Sequence, residues 1–329
     1  MTSTGCTLPV VALLRPPVGL AVAAGAQDVP AAGRRWAYEP KLDGWRTIGF
    51  ASGLLHSRQG TPLGSRFPEI AAAVRELDQD VVVDGELVAL REGRLEFAAL
   101  QTGPSRRTQQ GIEVHLVLFD LLAAHDRDLR RWSYEQRRTE LSRIVGPPRP
   151  HLQVISMTTC RAEALEWMDP AWAAVGIEGV VAKGLDSRYV AGTRSGWLKI
   201  RQRVTTEAVV LGVIGAATLV LGRPGRRGDW RAVGVSQPVS TALRADVAAV
   251  LHPDERLGET RLPGIVAGLP GHDEVVYLPV LPEVVVEVEA DTAVEFGRYR
   301  HPPRVVRIRD DLTPADLHRR DSGPGAGCK

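Results

Sequence analysis

Lysine is scarce in this chain: its 41 basic residues include only four lysines. Lys41 lies in EPKLDGWR, Lys183 in EGVVAK and Lys199 in WLKIR, while Lys329 ends the chain. Where a plain positive charge suffices, the chain uses arginine. A surviving lysine therefore marks a task arginine cannot perform, which is to shed a proton and attack as an amine. Lys41 is the foremost candidate. An amine nucleophile needs its pKa depressed by burial or by neighbouring cations, and Arg46, Lys183 and Lys199 supply those cations if the fold gathers them. Gly44 permits a tight turn that presents the amine. Taken alone, the motif reads equally as an exposed lysine in an Asp-Gly turn.

Two carboxylates accompany the lysines. Glu86 in VVVDGELV and Glu178 in IEGVVAK sit in strand-like apolar runs, where an uncompensated charge is costly. They are either partners of a cation or solvent-facing positions on hairpins. Arg58 in SRQG offers a planar fork suited to phosphate oxygens, or an ordinary surface charge. Phe119 in HLVLFDLL is by its context an ordinary core residue. Near the C-terminus, FGRYRHPPRVVRIR carries Arg298, Arg300, Arg304, Arg307 and Arg309. A basic strand of this kind suits a phosphate backbone, and equally a charged edge strand that resists aggregation.

Composition narrows the setting. A chain of 329 residues is long for one core, so two domains are expected. The net charge of +2 excludes a polybasic coat, and leaves nucleic-acid contact to local arginine clusters. Cys6, Cys160 and Cys328 are few and widely spaced, as reduced thiols of a cytoplasmic protein would be. The apolar start resembles a signal peptide, but it lacks a preceding basic segment and is broken by Arg15-Pro16-Pro17. No apolar run is long enough to span a membrane.

The elements that must position these residues follow from periodicity. Residues 46–50 and 54–58 read as one hairpin, and 81–90 with 94–97 as another. Residues 68–77 have helical spacing, and 115–122 are apolar enough for a strand buried on both faces. Ser133 and Gln136 form a capping box for a helix to about residue 145. Residues 161–175 are helical in pattern, with Pro170 expected to kink or split them. Beyond about residue 203 five strands are expected, at 208–214, 218–221, 230–235, 284–290 and 305–309, with a helix at 241–251 after the third. That order suits an OB-fold barrel, and other small β folds as well. The expected division is an extension over 1–29, a first domain over 30–202, a second over 203–320, and a disordered tail over 321–329.

EPKLDGWR, SRQG, VVVDGELV, HLVLFDLL, IEGVVAK and WLKIR occur in one fixed order. Together they resemble the nucleotidyltransferase motifs of ATP-dependent DNA ligases, a superfamily shared with RNA ligases and mRNA capping enzymes. The likeness is strongest to the small bacterial ligases, ligase C and the ligase domain of ligase D, and covers about residues 30 to 315. It implies an α+β fold: an ATP-grasp-like nucleotidyltransferase domain of antiparallel sheets flanked by helices, plus a C-terminal OB-fold barrel. It implies that Lys41 attacks the α-phosphate of ATP, forming lysyl-AMP, which then serves to seal nicks in duplex DNA during repair.

The same resemblance gives the other residues roles. Glu39 contacts the adenine amino group and Phe119 stacks on the base. Glu86 lies near the ribose and, with Glu178, serves a divalent Mg²⁺ or Mn²⁺. Lys183, Lys199 and Arg201 grip the α-phosphate, and Arg46 and Arg58 engage the nick 5′-phosphate or the adenylate. Two departures stand out: Arg201 replaces a second lysine, and Leu312 stands where the C-terminal motif has a lysine that orients pyrophosphate. With only 40 residues before Lys41, no DNA-encircling domain precedes it, so a monomer that leans on repair proteins is expected. The rivals are an RNA ligase or capping-type enzyme, and a non-catalytic module that binds nucleic-acid ends.

Overall fold

The computed structural model describes residues 14–321 apart from 32, 34, 79, 226–227, 263–264, 267–268, 271–273, 292–293, 296 and 300. The chain divides into two compact units, the first ending at Arg201 and the second beginning at Gln202.

In the first unit, β1 (Ala24–Gly25), β2 (Trp36–Leu42), β3 (Trp45–Phe50) and β4 (Leu55–Ser57) precede helix α1 (Pro68–Arg75). Then come β5 (Val82–Arg91), β6 (Arg94–Leu95), α2 (Pro104–Gln109), β7 (Glu113–Ala124) and β8 (Arg127–Asp128). Helix α3 (Tyr134–Val145), β9 (Leu152–Val154), α4 (Arg161–Glu166), β10 (Ile177–Gly184) and β11 (Trp197–Arg201) complete it. Two sheets result. The larger runs β4-β3-β5-β7-β8, with β6 on β5 and β9 on β7; the smaller runs β1-β11-β10-β2.

Strand β7 is apolar along nearly its whole length because both of its faces are covered. Leu116 and Leu118 point into one core with Ile70 and Val74 of α1 and Leu141 and Val145 of α3. Val117 and Phe119 point to the opposite face, as the two-residue repeat of a strand requires. Helix α1 starts with Pro68, whose missing N–H costs nothing in the first turn. Ile70 and Val74, one turn apart, are fully buried, each contributing about 1.5–3 kcal/mol by leaving water.

The capping box of α3 is present in both directions between Ser133 and Gln136. The helical pattern over 161–175 does split. Helix α4 ends at Glu166, and Pro170 opens a separate 3-10 turn to Val175, in which the Ala171 N–H donates to the Asp169 side chain.

In the second unit, β12 (Arg203–Ile214), β13 (Thr218–Pro224) and β14 (Trp230–Val235) precede α5 (Thr241–Val250). There follow β15 (Thr260–Leu262), β16 (Ile265–Val266), β17 (Leu269–Pro270) and β18 (Val275–Pro279). The unit closes with β19 (Val285–Asp291), β20 (Val294–Glu295), β21 (Arg298–Tyr299), β22 (Arg304–Ile308) and α6 (Pro314–Asp321). The five expected strands pair antiparallel in the order β14-β13-β12-β19-β22 around a core of Val210, Leu221, Val286 and Val288. Strands β15 to β18 are additional: β18 pairs with both β12 and β15. Their short segments are too weakly periodic to stand out in sequence. Asp321 belongs to α6, so the expected tail starts later; residues 322–329, with Cys328 and Lys329, lie outside the described residues, as do Cys6 and Arg300. No described helix is long and apolar enough to cross a membrane.

Candidate active site

The smaller sheet presents a row of charge. Strand β10 runs between β2 and β11, and Val181 faces Glu39 on one side and Lys199 on the other. Two residues along, Gly179 faces Arg201, so Glu39, Lys199 and Arg201 share one face with Lys41, two residues after Glu39. Gly179 has φ +139°, and a side chain there would overlap the Ile200 carbonyl oxygen. That glycine makes the bulge that lets β10 pass Lys41. Gly44 acts differently from expectation: its backbone is not left-handed, and its lack of a side chain allows close approach to the Leu87 carbonyl of β5.

Lys41 Nζ lies 2.5 Å from Glu178 Oε2, and both side chains are largely buried. Around it the other cations converge. Lys199 has its pKa lowered by burial, and further by Arg201, Lys41 and Arg58. Four positive groups from β2, β11 and the turn after β4 thus crowd one spot, which is what a polyanion requires.

Lys183, expected to grip the α-phosphate, is enclosed here by protein groups. Its ammonium is 1% exposed, bonds Glu39 Oε2 at 2.7 Å and donates to the Phe119 carbonyl at 3.0 Å. Three rings surround it, with centroids 4.2 Å (Trp197), 4.5 Å (Phe119) and 4.8 Å (Tyr134) away. Burial lowers its pKa, against the pull of Glu39 and Asp120. The second Glu39 oxygen accepts from the Tyr134 hydroxyl. Glu39 thus has a donor on each oxygen, which fixes its carboxylate in the site. Phe119 keeps part of its ring open, with Trp197 packed edge-on at 6.2 Å.

Arg46 is held from several sides. Its Nε and Nη2 grip Asp84 at 3.0 and 2.6 Å, and Nη1 donates to the Ala21 carbonyl at 2.5 Å. Burial by itself would lower its pKa; the buried Asp84 carboxylate more than offsets this and raises it. The guanidinium lies 5.3 Å from the Phe119 ring.

Glu86 faces Arg46 across the β3–β5 ladder. Burial pushes its carboxyl up to about 7, against the attraction of Lys41 and Arg46. Glu178 thus touches Lys41, and Glu86 is near enough to feel its charge. No cluster of three His, Cys, Asp or Glu side chains is present among the described residues. A pair of carboxylates nevertheless suits Mg²⁺ or Mn²⁺ at a phosphate site, since such ions take few protein ligands and leave the rest to phosphate and water.

In the second unit the arginines of β22 are paired. Arg304 contacts Glu289, Arg307 lies 2.9 Å from Glu287, and both arginine heads remain over half exposed. Arg309 is 13% exposed, held by Glu207 at 2.9 Å and Asp311 at 2.7 Å. Arg298 begins β21 half-buried. The expected basic stripe is a ladder of alternating charge. Leu312 follows in the turn after β22, its N–H bonded to the Arg309 carbonyl at 3.1 Å.

Sequence reasoning passed over Asp84, Tyr134, Tyr189, Trp197 and the fully buried Arg137–Asp120 pair, 2.7 Å apart. Asp84 and Asp120 did carry a signal, a charge inside an apolar strand run. The aromatics carried none.

The family model for the ATP dependent DNA ligase domain matches residues 22–201. Among curated relatives, DNA ligase C1 of Mycolicibacterium smegmatis is 29% identical over 326 residues, covering 92% of either chain. DNA ligase C2 of the same organism is 30% identical, covering 90% of this chain and 91% of its own. A solved Lig E DNA ligase matches the fold with a TM-score of 0.53 at 19% identity, covering 89% of this chain and 99% of its own. The chain belongs to the ATP-dependent DNA ligase family.

Proposed function

We propose that the protein seals nicks in duplex DNA at the expense of ATP, with Lys41 as the catalytic nucleophile. The observation that carries the reading is Lys41 itself: an amine 2.5 Å from Glu178, within electrostatic reach of Lys199, which also feels Arg201 and Arg58. Lys41 Nζ gives up a proton and forms a bond to the α-phosphorus of ATP, while the bond to pyrophosphate breaks. The AMP then passes to the 5′-phosphate at the nick, and the DNA 3′-hydroxyl displaces it to form the phosphodiester. Splitting the condensation in this way replaces one hard step with easier phosphoryl transfers.

Lys199, Arg201 and Arg58 stabilise the phosphate charge, and the open face of Phe119 supports the base. Lys183 and Glu39 lie beneath that face and hold its aromatic wall in place. Glu86 and Glu178 hold a divalent ion, which when bound neutralises the phosphates and the leaving group. The second unit is an OB-fold: its strand order, β14-β13-β12-β19-β22 with α5 after the third of these strands, supports this. Its exposed Arg304 and Arg307 contact the DNA backbone, and Arg309, bound internally, keeps that sheet face rigid.

The test is incubation with labelled ATP or GTP, followed by sealing of a nicked duplex with DNA or RNA on either side of the nick. ATP is expected to label the wild type, and Lys41→Arg to take no label. Labelling by GTP alone, or sealing by Lys41→Ala protein, would overturn the reading.

A further inference from the structure

We infer that Tyr189 is a positioning residue: its hydroxyl, acting through Asp84, fixes the Arg46 guanidinium beside the bound nucleotide. This rests on the ligase reading above.

A guanidinium has five N–H donors. In Arg46, Nε and Nη2 serve Asp84, the other Nη2 hydrogen reaches the Tyr189 hydroxyl at 3.3 Å, and one Nη1 hydrogen reaches the Ala21 carbonyl. Only the second Nη1 hydrogen is uncommitted among the described residues. Arg46 thus meets its ligand with a single directed donor, and not with a two-pronged fork. A single donor is useful only if its direction is fixed.

Tyr189 supplies that fixation. Its hydroxyl donates to Asp84 Oδ2 at 2.6 Å, on a carboxylate with no solvent exposure. Burial, reinforced by Asp84, holds the phenol above its ordinary pKa, so it stays a donor. The ring is itself clamped: it lies edge-on to Trp197 at 5.7 Å and 5.8 Å from the Arg137 guanidinium. Its backbone N–H bonds the Arg130 carbonyl at 2.9 Å, and Arg137 bonds the Ser187 carbonyl in the same loop at 3.1 Å. A phenylalanine would fill the same space. The hydroxyl is therefore explained by its contact with Asp84 and Arg46. The guanidinium lies 5.3 Å from Phe119, the ring on which the ligase reading rests the base, and faces Glu86 in the ladder.

The experiment measures Lys41 adenylylation from ATP in single turnover, together with thermal unfolding. Tyr189→Phe is expected to lower the rate about tenfold, leave the apparent KM for ATP within about twofold, and lower the unfolding temperature by only about a few degrees, so that the protein is fully folded in the assay. Asp84→Asn is expected to lower it roughly a hundredfold, and the double variant to be no slower than Asp84→Asn alone. If Asp84→Asn does not fold, Arg46→Lys takes its place in the cycle. A wild-type rate in Tyr189→Phe, or additive losses in the double variant, overturns the inference while the ligase reading stands. Wild-type protein that takes no label from ATP defeats the ligase reading, and this inference with it.

Discussion

Lys183 Nζ and Glu39 Oε2 lie 2.7 Å apart in the interior of the first unit, with side chains 1% and 2% exposed. Two charges so far from water persist only because each neutralises the other and further donors complete the shell. The pairing also accounts for the amino-acid type. A compact ammonium fits among Phe119, Tyr134 and Trp197, whereas a guanidinium in that space would need a wider gap between the rings.

Lys183→Met is expected to destabilise the protein by about 3–5 kcal/mol, because Glu39 is left charged and buried. The Lys183→Met/Glu39→Gln double variant should regain part of that loss in urea unfolding. A double variant less stable than the single would show that the ion pair is not the cause.

Gly179→Ala forces a side chain against the Ile200 carbonyl at a φ of +139°. The expected cost is about 2–4 kcal/mol of stability, with β10 displaced from β11. Denaturant titration checks this; an unchanged midpoint would mean the bulge is free to relax.

Glu86 makes stability depend on pH in a defined direction. Its carboxyl is pushed up from 4.5 to about 7, chiefly by burial. Between these values the folded protein keeps a proton that the unfolded chain has shed. Stability therefore falls as pH rises from about 4.5 to about 7, and the full penalty holds above that. Glu86→Gln removes the penalty, so the melting temperature of wild type relative to this variant should decline over that window and then level off. A difference independent of pH would be evidence against the shift.

Arg304→Ala/Arg307→Ala is expected to flatten the plot of log affinity for nicked DNA against log salt by roughly 2, about one unit per lost phosphate contact. An equal slope in the two proteins would mean that Glu287 and Glu289 hold these arginines away from DNA.

The chemistry was legible where it depends on residue type and order. Lys41 and Glu178 are far apart in the chain, yet their motifs marked both, and they meet at 2.5 Å. The strands that carry them were legible as well, because buried strands are long apolar runs. What stayed hidden is cross-sheet partnership. Nothing in the spacing of Arg46, Asp84, Tyr189 and Ala21 shows that they share one hydrogen-bond set, since two lie on paired strands and two on loops far away in the chain that only the tertiary fold brings to them. The surroundings of Lys183 were hidden for the same reason: its position along β10 was clear, but the three rings over it were not. The acidic partners of the basic stripe were hidden in a related way, because the glutamates of β19 that face it lie elsewhere in the sequence.

Similarity to the family begins at residue 22, yet the acceptor for Arg46 Nη1 is the carbonyl of Ala21, and Leu14 and Leu20 are buried in the same cluster as Tyr189 and Trp197. A fragment trimmed to the limits of recognisable likeness would keep every catalytic motif and lose one wall of the room they occupy. For anyone shortening or grafting this unit, the useful boundary is set by the hydrogen bond to Ala21 and the leucines ahead of it.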